Sequence, residues 1–154
     1  MSKITSFDVE LNNKIPVLVK ESEYDYIYDE FTPNAIAAAM NDMFHLARKA
    51  EEHCYVMSFD NKGNPIGVFF LSKGTVNASL ANTREIYMRA LISGASSIAL
   101  VHNHPSGDPT PSKADKEIAL KMRDAGNLLG IKFVDSIIIG GNDFYSFAEN
   151  NMFT

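Results

Sequence analysis

The chain has 154 residues, of which 45% are hydrophobic and 21% charged, and it carries a formal net charge of −5. That length and balance suit one globular domain and exclude a disordered chain, while the acidic excess gives no electrostatic reason to expect direct nucleic-acid binding. The one cysteine, Cys54, excludes an internal disulfide; no apolar run approaches the ~18 residues of a membrane span and no signal core opens the chain, so the cytoplasm is the expected location.

The elements follow in chain order. Residues 7–11 and 15–19, joined by Asn12-Asn13-Lys14, read as a hairpin. Tyr24, Tyr26 and Tyr28 alternate with Asp25, Ile27 and Asp29, as in an edge strand with one half-buried face. A surface for an extended peptide is the less favoured reading of those tyrosines. Thr32-Pro33 is a helix start, a cap followed by proline at the first position. Ile36, Met40, Met43, Phe44 and Ala47 then form an apolar face that predicts a helix to about Ala50, with His45 exposed. Strands are predicted over residues 54–59 and 65–71, around a turn at 60–64. Cys54 reads as a small buried hydrophobe.

A second helix is predicted from Thr83 to Ser93, with Ile86, Met88, Ala90 and Leu91 inward and Gly94 as its stop. Residues 96–101 are an apolar run of the kind found in buried strands. From Ser112 a third helix carries Ile118, Leu120, Met122, Ala125, Leu128 and Leu129 at roughly helical spacing. Strands at 132–139 and 144–147 flank Gly140-Gly141-Asn142-Asp143. No helix follows those glycines, so a hairpin fits better than a phosphate-binding turn. The order helix-β-β-helix-β-helix-β-β predicts an α/β fold, a mixed sheet with helices on its faces.

Between the buried strand and the third helix stands the most informative stretch, with His102, His104, Ser112 and Asp115 spaced His-x-His-x7-Ser-x2-Asp. Side chains two apart on a strand share a face, so both imidazoles point to one side. The first turn of the helix brings Asp115 back toward them. Three N/O ligands with a fourth position open is the pattern of a catalytic zinc site, not a structural one. A plainer reading is that Ser112 and Asp115 form a capping box after a rigid loop of Pro105, Gly107, Pro109 and Pro111. The two roles are compatible, although one carboxylate is not expected to serve both fully. An HNH nuclease is excluded because its signature residues are dispersed, and here His102-Asn103-His104 are adjacent. Zinc hydrolysis also needs a proton carrier. Glu52, at the junction of a helix and a strand, is the best candidate, with Glu51 its competitor and His53 alternating away.

His102-Asn103-His104-Pro105-Ser106-Gly107, Pro111-Ser112 and Asp115 resemble the metal motif of the JAB/MPN (JAMM) metalloproteases, and more narrowly of their RadC-like branch. Phe59-Asp60-Asn61, Lys73-Gly74-Thr75, Arg84-Glu85-Ile86, Ala90-Leu91, Gly130-Ile131 and Val134-Asp135 also resemble that branch. The likeness implies a three-layer, cytidine-deaminase-like fold and a Zn2+ ion held by His102, His104 and Asp115. It implies Glu52 as general acid/base, chosen over Glu51 by its offset from Asp60-Asn61, and Ser112 as a donor to the oxyanion. Residues 1–154 would then be a single JAB/MPN-like domain, with residues 1–31 an extension packed on it.

Two features depart from the branch. Asp135-Ser136 stand where Asp-His is usual, and residues 1–62 are not expected to form the branch's helix-hairpin-helix segment: there is no glycine before Gly63, and residues 21–30 hold five acids and no base. Nucleoside deaminase chemistry is excluded because its Pro-Cys-x-x-Cys cannot come from one cysteine. The expected activity is zinc-dependent hydrolysis of amide bonds in a peptide or protein substrate, including isopeptides. The alternative is a non-catalytic RadC-like binding module acting with protein partners in DNA repair or metabolism. Scaffold relatives typically lose ligands, so the intact set favours chemistry.

Overall fold

A computed structural model describes residues 2–74 and 82–153; Thr75, the last residue of the Lys73-Gly74-Thr75 stretch, lies outside them. Seven strands form one mixed sheet: β1 Ser2–Asn12, β2 Ile15–Tyr26, β3 His53–Phe59, β4 Pro65–Lys73, β5 Ser97–Asn103, β6 Lys132–Gly140 and β7 Asp143–Ser146. Their spatial order is β2-β1-β4-β3-β5-β6-β7. Neighbours are antiparallel except β1 with β4 and β5 with β6, which are parallel. The parallel β5–β6 pair requires a crossover, and helix α3 Lys113–Leu129 supplies it. Helices α1 Pro33–Phe44 and α2 Thr83–Ile92 complete the set.

The sheet is covered on both faces, which is why its central strands read as unbroken apolar runs. Tyr55, Met57, Val101 and Ile137 face α1 through Ile36, Ala37, Ala39 and Met40. Cys54, Val56 and Leu100 face the other way, onto Ile86, Tyr87 and Ala90 of α2 and Ile118 and Met122 of α3. This is the three-layer arrangement expected from the resemblance. Among the described residues no helix is long and apolar enough to cross a membrane.

The N-terminal hairpin forms with the expected partners but is longer. Its strands run from Ser2↔Tyr26 to Asn12↔Ile15, and Asn13 and Lys14 make the turn with φ of 52° and 68°. Tyr24 and Tyr26 therefore belong to β2 itself, the edge of the sheet, where Tyr26 is buried and Tyr24 packs on the core. The expected face of half-buried tyrosines is present.

Three helical details differ from expectation. The first helix ends at Phe44, not Ala50, because His45 turns left-handed with φ 54° and ψ 43°. The Asn41 side chain accepts from the Ala47 N–H at 2.9 Å, and the reversal drives Leu46 into complete burial at the start of a short 3-10 turn. Burying Leu46 outweighs the cost of a non-glycine residue in that region, on the order of 1 kcal/mol. On α2 the buried residues are Ile86, Tyr87 and Ala90, whereas Leu91 is exposed. On α3 they are Asp115, Ile118, Ala119, Met122 and Gly126, whereas Leu120, Leu128 and Leu129 face solvent. A glycine takes the place of a leucine there because the backbones come too close for a side chain.

A Cβ built on Gly126 would lie 2.3 Å from the Ile131 carbonyl oxygen and 2.7 Å from the Tyr87 hydroxyl. That hydroxyl donates to the Met122 carbonyl at 2.6 Å, tying α2 to α3. Gly126→Ala is therefore expected to cost roughly 2–3 kcal/mol by overpacking. The urea midpoint should fall without loss of helical circular dichroism, and an unchanged midpoint would contradict the close approach.

Candidate metal centre

The site begins with the register of β5. His102 lies opposite Cys54 of antiparallel β3 and beside Ile138 of parallel β6, so its ring belongs to the face covered by α2 and α3. The His104 N–H still donates to the Ile139 carbonyl at 2.8 Å, one bond beyond the end of the strand. The chain then turns, with the Gly107 N–H donating to the His104 carbonyl at 3.0 Å. His104 Nδ1 lies 2.9 Å from the Asp108 carbonyl oxygen. A proton held at Nδ1 by that carbonyl leaves the Nε2 lone pair as the ligand atom. Asp108 also accepts at Oδ1 from the Thr110 N–H at 3.0 Å and the Thr110 hydroxyl at 2.7 Å, which braces the loop.

Helix α3 returns the third ligand candidate. Ser112 is its N-cap: the hydroxyl accepts the Asp115 N–H at 3.1 Å, and Asp115 Oδ2 accepts the Ser112 N–H at 2.8 Å. The capping box read from the sequence is present in full. The same carboxylate serves the site, with Oδ1 at 3.2 Å from His102 Nε2 and Oδ2 at 3.2 Å from His104 Nε2. One ligand atom from each of His102, His104 and Asp115 lies within 4.8 Å of the others. Sharing the carboxylate between cap and site was the arrangement least expected of it, yet two oxygens and several lone pairs suffice for both.

The chemistry of this donor set fits a metal cation. Among the described residues neither buried ring nitrogen of His102 has a hydrogen-bond partner, Nε2 facing only the Asp115 oxygen 3.2 Å away, a costly state for a polar group. Two imidazole nitrogens converge on a carboxylate, and all are electron-pair donors unless a proton or a cation lies among them. Burial pushes the Asp115 carboxyl up, but the His102 imidazole and the Ser112 donors outweigh it and hold it at about 2. The group is thus an anion at neutral pH. Cys54 differs: burial first, then the charges of Glu52 and Asp115, push its thiol up to about 12. It forms a neutral floor beneath the rings and, as expected, is a buried hydrophobe.

The Glu52 charge contributes to that upward push on the Cys54 thiol, as Asp115's does. The β3–β5 pairing ends with Cys54 opposite His102, and Glu52 lies two residues before Cys54 as His104 lies two residues after His102. Glu51 forms an exposed ion pair with Lys73 at 3.5 Å instead. The His53 ring packs toward Phe70 at 6.0 Å, away from the ligand group. Ser136 pairs with Leu100, two residues before His102 in the register, and is buried outside that group. Its neighbour Asp135 accepts from the Ser146 hydroxyl and, at 3.0 Å, the Ala148 N–H, fastening the C-terminal turn.

One contributor is absent from the motif. A Cβ on Gly140, the last residue of β6, would meet Pro109 N at 2.7 Å, Asp108 C at 2.9 Å and the Gly107 carbonyl oxygen at 2.9 Å. The loop that carries His104 rests on that glycine. The paired glycines were the available signal, and the hairpin accounts for only one of them: Gly141 turns with φ 58°. Gly140→Ala should displace the loop and weaken any metal binding by the His102-His104-Asp115 group by about tenfold or more, as loss of outer support does at metal sites. Competition against a chelating dye measures this, and unchanged affinity in a folded variant would overturn the assigned role.

Comparison with known proteins agrees with this geometry. The profile of the RadC-like JAB domain matches residues 32–152. A UPF0758 protein of Geotalea uraniireducens is 39% identical over 125 residues, covering 80% of this chain and 54% of that protein. A UPF0758 protein of Caldanaerobacter subterraneus is 36% identical over 145 residues, covering 94% of this chain and 60% of that protein. One from Clostridium beijerinckii is 41% identical over 102 residues, covering 66% and 44%. The chain thus spans about half the length of the curated relatives it matches. The matched span contains α1, both strands that bear the site and the whole metal motif, and the chain belongs to the RadC-like JAB domain family.

Proposed function

We propose that this chain is a zinc-dependent hydrolase of amide bonds, of the JAMM type, acting on a peptide or isopeptide bond of a protein substrate. The observation that carries the reading is the meeting of His102 Nε2 and His104 Nε2 on the Asp115 carboxylate, with the buried His102 ring otherwise unpartnered among the described residues. His102, His104 and Asp115 would hold the ion. A bound zinc polarises a carbonyl and acidifies a water to a pKa of about 7.

The remaining steps fall to the chain's own groups. The Glu52 carboxylate takes the proton of the attacking water and delivers it to the leaving amine. Its support is its place two residues before Cys54, the partner of His102 across β3 and β5, and the part its charge plays in raising the Cys54 thiol. The Ser112 hydroxyl accepts the Asp115 N–H through a lone pair, so its own proton can be donated to the developing oxyanion. The site lies at the carboxyl end of β5, an interior strand of the sheet, and at the amino end of α3, the kind of position where ligands bind in open α/β sheets. The intact ligand set supports chemistry over a binding module with a vestigial site.

Elemental mass spectrometry of protein purified without added metal tests the ligand set. About one zinc per chain is expected, lost in Asp115→Ala. Protein that neither contains zinc nor takes it up would remove the basis of the proposal and leave Asp115 as a helix cap. Glu52→Gln should keep its zinc and lose roughly 100-fold or more of hydrolysis in a screen of peptides and isopeptides. Undiminished hydrolysis by that variant would show that another group carries the proton.

A further inference from the structure

Between the two histidines lies Asn103, which is 1% exposed and offers nothing to the ligand group. Its Oδ1 accepts the His53 N–H at 2.7 Å and its Nδ2 donates to the Glu51 carbonyl at 3.1 Å. Those two backbone groups belong to the peptide planes on either side of the Glu52 Cα. The Glu52 carbonyl is held as well, by the Gly74 N–H at 2.8 Å. Fixing both planes sets φ and ψ at Glu52 and hence the direction of its Cα–Cβ bond; only the side-chain torsions remain.

The reason for an amide at this position is geometric. The β3–β5 pairing ends at Cys54↔His102, whereas β5 stays paired with β6 through Asn103↔Ile139. An Asn side chain is a peptide group in miniature, with one acceptor and one donor face, and here it takes the place of the next rung of the ladder. His104 does not need that rung, since the Ile139 and Asp108 carbonyls hold it. The Asn103 bonds therefore serve β3, and the residue between their two partners is Glu52.

We propose that Asn103 is a positioning residue that aims the Glu52 carboxylate at the metal centre by clamping the backbone on both sides of it. The inference rests on Glu52 being the proton carrier. It makes the middle residue of His102-Asn103-His104 the link between the strand that brings the metal ligands and the strand that brings the acid/base group. An apolar residue would take the acceptor from the His53 N–H and leave the Glu51 carbonyl with the His53 Nδ1 contact at 3.0 Å, and an Asp would keep the acceptor but lose the donor.

The test uses cobalt-substituted protein, comparing Asn103→Ala, Asn103→Asp, Glu52→Gln and the unaltered chain. Both Asn103 variants should bind one cobalt per chain with affinity within about threefold, since ligand contacts are untouched. The pH midpoint of the cobalt visible spectrum should shift in the same direction as in Glu52→Gln, and the His53 amide should exchange about tenfold faster or more. Asn103→Asp, which retains the His53 bond, keeps the test open if Asn103→Ala does not fold.

Loss of metal from the Asn103 variants to the extent seen in Asp115→Ala would mean that Asn103 supports the ligands, and would overturn the proposal. So would an unshifted midpoint in those variants alongside a shifted one in Glu52→Gln. If Glu52→Gln itself left the midpoint unmoved, the assignment of Glu52 as proton carrier would fall, and the clamp's role with it.

Discussion

The Asp115 carboxylate is the point at which folding and chemistry meet in this chain. One of its oxygens accepts the Ser112 N–H and closes the N-terminus of α3, and both oxygens face imidazole nitrogens. A buried carboxylate is expensive unless its lone pairs are met. Here a backbone donor, the helix dipole and the imidazole offset the desolvation. The cap is worth about 1 kcal/mol by itself, too little to justify burying a charge. The burial becomes reasonable when a cation shares the site. Because α3 is seated by Ile118, Met122 and Gly126, the carboxylate's place is set by the packing of the whole helix.

The sheet supplies the other half of the constraint. Strand β5 lies between an antiparallel and a parallel neighbour, so Cys54, His102 and Ile138 form one row across three strands. The row is apolar on both flanks of the imidazole, and the thiol in it stays protonated. Charges brought to such a place interact more strongly than in water. A site built this way needs few polar groups, and each must be placed by backbone geometry. Gly140 makes room for the loop, and the capping box fixes its far end.

Much of this was legible in the sequence because the ligand spacing is local. His102, His104, Ser112 and Asp115 lie within one strand-loop-helix passage, whose periodicities and cap signals can be read without knowing the rest of the fold. The strands and both hairpins were legible for the same reason. Less legible was whatever depended on partners distant in sequence. Apolar spacing put Leu91, Leu128 and Leu129 inward, whereas packing selected Tyr87 and Gly126, which bring α2 and α3 close together. The end of α1 at His45 followed from the burial of Leu46, which no cap residue announces. Glu51 and Glu52 could not be separated by residue type; what distinguishes them is the ion pair of Glu51 with Lys73 at 3.5 Å and the Asn103 hydrogen bonds on either side of Glu52.

Ser136, the departure from the branch pattern, gains a meaning from the same register. In parallel pairing, residues side by side face the same way, so Ser136 shares its row with Leu100 and Val56, one row inward from His102. That row is covered by α2 and α3 and lies beneath the ligand group, not within it. Asp135, beside it, is committed to the C-terminal turn through Ser146 and Ala148. A residue so placed can alter the packing under His102 and lies outside the donor set. The substitution therefore leaves the His102-His104-Asp115 donor set whole, and the chemistry of the site depends on what β3 brings beside it.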